Sequence, residues 1–132
     1  MHIGQSYVFN YRVTESDTCA LTATDQVKVL STPQIVALME HSARELLQPA
    51  LVDGEALIVQ TSILSVIAPV SLGAELIIEA SFQGVLHGLY ETDISISDLA
   101  GVVARAQLVL SPGNTKDYYQ AALKRQRGIS AV

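Results

Sequence analysis

Glu40 is the residue whose type and position most need a chemical explanation. It follows an apolar run, residues 35–39, within a segment that has helix signals at both ends. An apolar run that covers more than one face predicts a helix buried on several sides. A carboxylate in such surroundings must find a partner, hold a proton or take part in a reaction. Its chemistry suits a nucleophile, or a base that activates water.

A simpler explanation of Glu40 is an ion pair with Arg44, four residues further along the helix. On an exposed helix face such a pair contributes only a few tenths of a kcal/mol. Both interpretations remain open, and Glu40 paired with Arg44 would suit a purely structural or interaction dimer.

The helix that carries Glu40 is predicted to run from Pro33 to Leu47. Ser31 or Thr32 can cap its free amides, and Pro33 suits the first turn, where no N–H partner is needed. Pro49 stops the helix at or before Gln48.

The remaining pattern predicts one strand before this helix and an antiparallel meander after it. Residues 15–25 are predicted as a loop and 111–114 as the end of the sheet, with a terminal helix at 115–127 and Gly128 past its end. We expect an α+β protein with the hotdog fold, in which a curved antiparallel sheet wraps around one long helix and residues 1–132 form a single domain. The predicted strands are 5–14, 56–67, 74–86, 89–97 and 102–110, with a short extended segment at 27–30.

The composition constrains the partners of this protein. Of its 132 residues, 49% are hydrophobic and only 16% are charged, so a buried subunit interface, and hence a homodimer, is expected. The net charge of −5 argues against nucleic acid as a partner.

The cellular setting is indicated by what the sequence lacks. The single Cys19 cannot form an internal disulfide, and no Cys or His cluster has zinc-ligand spacing. We therefore expect no metal, no cofactor and a reducing, cytoplasmic setting. The N-terminus lacks a signal-peptide pattern, and polar residues interrupt the longest apolar region, so no membrane span is expected.

The sequence STPQIVALME, residues 31–40, resembles the helix-opening motif of the fluoroacetyl-CoA thioesterase family of hotdog proteins. Residues 53–55 resemble the turn after that family's helix, and 68–73 resemble its A-P-x-x-x-G strand break. Asp98 and Gly101 match its late turn, so the resemblance spans roughly residues 27–110.

The resemblance implies hydrolysis of an acyl-CoA thioester. In that family a threonine, a glutamate eight residues later and a histidine on the following long strand carry the reaction. Thr32 and Glu40 fall on the first two positions as catalytic residues, whereas Val66 occupies the histidine position. The family's aromatic lid, associated with fluoroacetate selectivity, has no counterpart in residues 23–28, so that particular substrate is not supported.

Further substrate contacts follow from this expected chemistry. The amides of Gln34 and Ile35, at the positive end of the helix dipole, are candidate oxyanion donors for the thioester carbonyl. Ser65 and Val66 are candidate pocket residues on the long strand. The basic residues of the terminal helix are ordinarily solvated, but they could also meet the phosphates of coenzyme A; they are Lys124, Arg125 and Arg127.

Geometry and the missing histidine leave alternatives open. Eight helical residues rise about 12 Å, so Thr32 and Glu40 cannot touch along one straight helix. There are three alternatives. Either Thr32 lies in the loop and folds back, or the two residues flank the substrate separately, or the sites form across a dimer. Val66 also favours a second function, in which the protein binds an acyl thioester or another apolar ligand without cleaving it.

Overall fold

The structure, a computed structural model, describes residues 1–21 and 28–130. The predicted loop and lead-in at 22–27, which include most of the position expected for a lid, lie outside the described residues. The elements are β1 (Ser6–Arg12), a 3₁₀ turn (Glu15–Asp17), β2 (Thr18–Ala20), β3 (Lys28–Leu30), α1 (Thr32–Leu47), a 3₁₀ turn (Gln48–Ala50), β4 (Glu55–Val66), β5 (Glu75–Leu86), β6 (Leu89–Asp98), β7 (Gly101–Asn114) and α2 (Thr115–Ser130).

Five strands form an antiparallel sheet in the order β1-β5-β6-β7-β4, and β2 pairs with β3 in a separate hairpin. Residues alternate between the two faces of each strand. On β5, Leu76, Ile78 and Ala80 are fully buried, whereas the intervening Ile77 and Glu79 are exposed. Three register shifts, in the β4–β7, β5–β6 and β6–β7 pairs, mark bulges, which bend strands. The predicted α+β hotdog architecture is confirmed.

Helix α1 begins where its capping signals predict. The Ser31 hydroxyl accepts a hydrogen bond from the Gln34 amide at 3.2 Å, and Pro33 lies in the first turn. Only one face of the helix packs into the core, whereas Ala37, His41 and Arg44 are exposed. Burial on several sides is therefore not found in the single chain, because the sheet covers one face of the helix. The residues of that face are Ile35, Leu38, Met39, Ser42, Ala43, Leu46 and Leu47.

Three predicted boundaries are wrong. The predicted loop at 15–25 contains β2, whose partner β3 lies across the segment 22–27 in sequence. Strand β7 continues through Pro112 to Asn114, where it pairs with β4. Its pairing with β6 stops at Leu110, so residues 111–114 have no strand on their other side. A proline is tolerated where one side of a strand is free. Helix α2 continues past Gly128 to Ser130.

The basic residues near the end of α2 are exposed, and their contact with coenzyme A stays a prediction. Among the described residues, no helix has the length and apolarity needed to span a membrane.

Asp17 is a buried carboxylate, 5% exposed, that fixes the chain just before the hairpin. Its oxygens accept hydrogen bonds from the Tyr11 hydroxyl at 2.8 Å, the Thr14 amide at 2.7 Å and the Thr14 hydroxyl at 2.8 Å. Its carbonyl accepts the amide of Ser31, the cap of α1, at 2.9 Å. Burial acts to raise the pKa of Asp17, but the hydrogen bonds from Thr14 and Tyr11 outweigh it and lower the pKa. The start of α1 is thereby tied to β1.

We expect Asp17→Ala to lower the free energy of unfolding by about 2–4 kcal/mol, because it leaves several donors without their charged acceptor. The loss should be measured by urea denaturation near neutral pH, with the exposed Asp53→Ala as a control that changes little. A lowered pKa in the folded state contributes stability above the ordinary value of 3.8, and this contribution is lost as the pH falls below it. The difference between wild type and variant should therefore shrink below about pH 4; a difference independent of pH would contradict this role.

Candidate active site

An open cleft of about 290 Å³ lies at the beginning of α1. Three segments form its walls: the β2–β3 hairpin, the first turn of α1, and the chain that leaves β4. The lining residues are Cys19, Leu21, Val29, Leu30, Thr32, Ile35, Val66, Ile67, Ala68, Pro69 and Val70. The cleft is therefore a largely apolar site beside the positive end of a helix dipole.

Backbone hydrogen bonds hold the three walls together. The Leu30 amide donates to the Val70 carbonyl at 2.8 Å, which joins the helix start to the segment after β4. The amides of Ile67 and Ala68 both donate to the Val103 carbonyl, at 2.8 and 3.2 Å. These contacts fix the main chain at the start of α1 and in the segment after β4.

Three of the predicted site residues meet in this cleft. Thr32 and Ile35 come from α1, and Val66 comes from the end of β4. Ile35 is 3% exposed and forms the floor, whereas Val66 is 50% exposed and forms part of an open wall. The two positions that the resemblance assigns to threonine and histidine therefore lie on one surface, although the second holds a valine.

The expected oxyanion donors need a correction, because neither amide is unpaired. The Gln34 amide donates to the Ser31 hydroxyl at 3.2 Å, and the Ile35 amide donates to the Ser31 carbonyl at 3.0 Å. Ile35 is the first residue able to reach back four positions, and a capping hydroxyl takes the preceding amide. To polarise a substrate carbonyl, the amide of Gln34 or Ile35 would therefore have to donate to it and to the Ser31 oxygen at the same time.

Glu40 does not line the cleft. It lies eight residues after Thr32, about 12 Å along the helix axis. Its carboxylate accepts a hydrogen bond from Arg44 at 3.2 Å, and the two side chains are 29% and 45% exposed. Glu40 is therefore neither sealed nor desolvated in the single chain, and its partner is the one that the simpler explanation names.

Ser65 lies on the other face of the sheet and does not line the cleft, so its contact with substrate stays a prediction. It pairs with Arg105 and lines an outer groove of about 440 Å³ that also includes Glu79 and Asp93. Successive strand residues point to opposite faces, and Val66 faces the cleft. A substrate held in the cleft would not touch Ser65.

The histidines do not replace the one that the resemblance expects. His41 packs against Phe9 on β1, with ring centroids 5.2 Å apart. His87 lies in the turn between β5 and β6, with a φ of 52°. Within the described residues, no histidine lines the cleft and no three His, Cys, Asp or Glu side chains are placed to hold a metal ion.

Sequence reasoning missed Cys19 as a site residue. Its thiol lies on an exposed strand of the hairpin, at the rim of the cleft and across from the segment after β4. About fifty residues separate these two walls, and no local pattern predicts that they meet. An isolated antiparallel β-bridge between Val29 and Ser71 joins the hairpin to the segment after β4.

The sequence profile of the family described as FlK, fluoroacetyl-CoA-specific thioesterase, matches residues 13–109. That match covers well over half of the chain. The chain belongs to this family. Membership supports the hydrolysis of acyl-CoA thioesters as its activity, and makes it a hydrolase of the thioesterase type. None of the curated proteins compared with the chain matches it in sequence.

Solved structures share the fold at low identity. A substituted form of the fluoroacetyl-CoA-specific thioesterase FlK is 15% identical, with 95% of this chain and 97% of that chain covered and a TM-score of 0.86. A hypothetical protein of Thermus thermophilus, described as a thioesterase superfamily member, is 17% identical over 99% and 97%, with a TM-score of 0.85. A hot-dog-like protein from Thermanaerovibrio acidaminovorans is 20% identical over 93% and 91%, with a TM-score of 0.81.

Proposed function

We propose that this thioesterase acts as a cytoplasmic, single-domain homodimer, which takes the acyl group of an acyl-CoA into the cleft and attacks its thioester with Glu40 or with water that Glu40 activates. The observation that carries the proposal is the meeting of Thr32, Ile35 and Val66 in one apolar cleft at the start of α1. Related structures of FlK are described as complexes with acetyl-CoA and with fluoroacetate and CoA, which supports coenzyme A as the carrier.

The separation between Glu40 and the cleft favours a site shared by two chains. Within one chain Glu40 follows Thr32 by eight residues, a rise of about 12 Å along the helix axis, and it does not line the cleft. In a two-fold dimer each surface meets its own copy, so Glu40 of one chain can serve the cleft of the other. In such a dimer the partly exposed carboxylate of one chain would add the reacting group to the cleft of the other.

Strand β4 is the edge that best suits this dimer. It ends the five-stranded sheet, and an edge strand presents unpaired backbone groups to a partner. Ile63 is 59% exposed, Val66 is 50% exposed, and the following Ile67 is 54% exposed. Pairing of β4 with its copy would satisfy this edge and place the cleft at the subunit boundary, with Val66 still facing the substrate.

The reaction needs charge stabilisation and a route for one proton. The positive end of α1 stabilises negative charge on the carbonyl oxygen. Glu40 adds to the carbonyl carbon and forms an anhydride that water later hydrolyses to the free acid, or it removes a proton from water as the water adds. The carbon–sulfur bond then breaks, and the thiolate leaves with the bonding electrons and takes up a proton. Val66 cannot donate that proton, so the step relies on solvent and on the good leaving ability of a thiolate.

One alternative function has a specific observation in its favour. Within the described lining, the cleft presents no ionisable side chain other than Cys19, and the residue at the expected histidine position is apolar. A protein that binds an acyl thioester without cleaving it would have this cleft. Such a protein would hold intact acyl-CoA and release no free coenzyme A.

Glu40→Gln should lower the rate of coenzyme A release from acyl-CoA at least a hundredfold, because the amide can neither attack nor accept a proton. The variant's stability should change by no more than about 0.5 kcal/mol, since the pair with Arg44 is partly exposed. Glu45→Gln, on an exposed position of the same helix, is the matched control and should retain the wild-type rate. Equal rates for both variants would sink the catalytic role of Glu40.

A mixing experiment tests whether the site is shared. Thr32→Val and Glu40→Gln chains should each be nearly inactive alone. If the two residues come from different chains, mixed dimers contain one intact site, and an equal mixture recovers about a quarter of wild-type activity. Recovery should be measured after unfolding and refolding the chains together. No recovery, with mixed dimers verified by mass spectrometry, would place both residues in the same site of one chain.

Val66→His should raise the rate of coenzyme A release at least tenfold, because a positioned acid supplies the proton that the leaving thiolate needs, an effect on the order of 10²–10⁴-fold. The pH dependence should gain a titration near the pKa of a histidine, about 6.5. Ser65→His is the control, since its side chain lies on the opposite face of the sheet. The same gain in both variants would argue against a reaction in the cleft.

A further inference from the structure

We propose that the cleft selects unsubstituted, apolar acyl groups of about four to eight carbons, and that it discriminates against fluoroacetyl and carboxylated acyl groups. The inference rests on the proposed function for the place of the acyl group. It goes further because it names the substrate class from the walls of the cleft.

The chemistry of the walls carries the first step. Of the lining residues in the described chain, nine have side chains of carbon alone, and only Thr32 and Cys19 offer a polar atom. The described lining carries no charge. An acyl group with its own carboxylate would lose hydration without gaining a cation from the described lining in return, which is unfavourable. Carboxylated acyl groups are therefore disfavoured.

The size of the cleft carries the second step. At roughly 30 Å³ for each water-sized group, about 290 Å³ holds on the order of ten non-hydrogen atoms. A fluoroacetyl group is much smaller and would leave most of the walls uncovered. The cleft is also too small for the whole of coenzyme A, so only the acyl end enters. Chains of four to eight carbons fill the space.

Val66 is the specificity-determining residue of this arrangement. It is 50% exposed in the open wall, so an acyl chain that covers it removes apolar surface from water. Each methylene buried in this way should tighten binding about fourfold. The valine that removes a proton donor from the site therefore also gives the site its preference for hydrocarbon.

Binding of S-alkyl-CoA thioethers tests the inference without any turnover, because these analogues have no thioester to cleave and no free thiol. We expect calorimetry to show about fourfold tighter binding for each added methylene up to roughly eight carbons, with a plateau beyond. S-carboxymethyl-CoA should bind no better than S-methyl-CoA. Cys19, the only cysteine of the chain, gives a local readout. S-hexyl-CoA at saturation should slow its alkylation by iodoacetamide at least fivefold, and S-methyl-CoA should slow it little.

Val66→Thr keeps the shape of the side chain and adds a hydroxyl, so it should weaken S-hexyl-CoA binding at least threefold and weaken S-methyl-CoA binding much less. Ile77→Thr, on the outer face of the sheet, is the matched control and should bind like wild type. Affinity that does not depend on chain length, or binding without protection of Cys19, would overturn the inference. Chain-length-dependent binding with no hydrolysis of hexanoyl-CoA would support the inference and reject the proposed hydrolase, so the two failures are distinguishable.

Discussion

The anchoring of the first turn of α1 is the constraint on which the rest of the site depends. The amides of Leu30 and Ser31, the two residues before the helix, are held by the carbonyls of Val70 and Asp17. One bond fixes the helix to the segment after β4, and the other fixes it to the chain after β1. The cleft exists because three parts of the chain are held a few ångströms apart at this point, with the positive end of the helix dipole facing the space between them.

The position of the helix start also separates Glu40 from the cleft. A helix that starts at the cleft carries Glu40 away from it at 1.5 Å per residue, and Glu40 is not among the residues that line the cleft. The carboxylate instead lies on the open face of α1 beside Arg44. The dimer that we propose would bring the apolar cleft of one chain and the partly exposed acid of the other together. The unsatisfied edge of β4 offers the place where two chains would join.

The apolar character of the cleft connects catalysis with selectivity. In the proposed mechanism Val66 supplies no proton to the leaving thiolate, and its side chain adds hydrocarbon to the wall. Family membership establishes thioester hydrolysis as the shared activity, whereas the walls of this cleft differ from what a small, polar acyl group requires. Slow hydrolysis with a preference for hydrocarbon chains is the combination that we propose.

The sequence by itself determined the fold class, the long helix with its Ser31 cap, and the antiparallel meander, because these depend on periodicity and on local hydrogen bonds at helix ends. It also singled out Thr32 and Val66, which lie in one cleft. Only the tertiary structure decided which neighbour of Val66 shares its face, that Cys19 borders the cleft, and that the amides of Gln34 and Ile35 already have partners. Those facts depend on strand register and on contacts between segments about fifty residues apart, and no short pattern encodes such contacts.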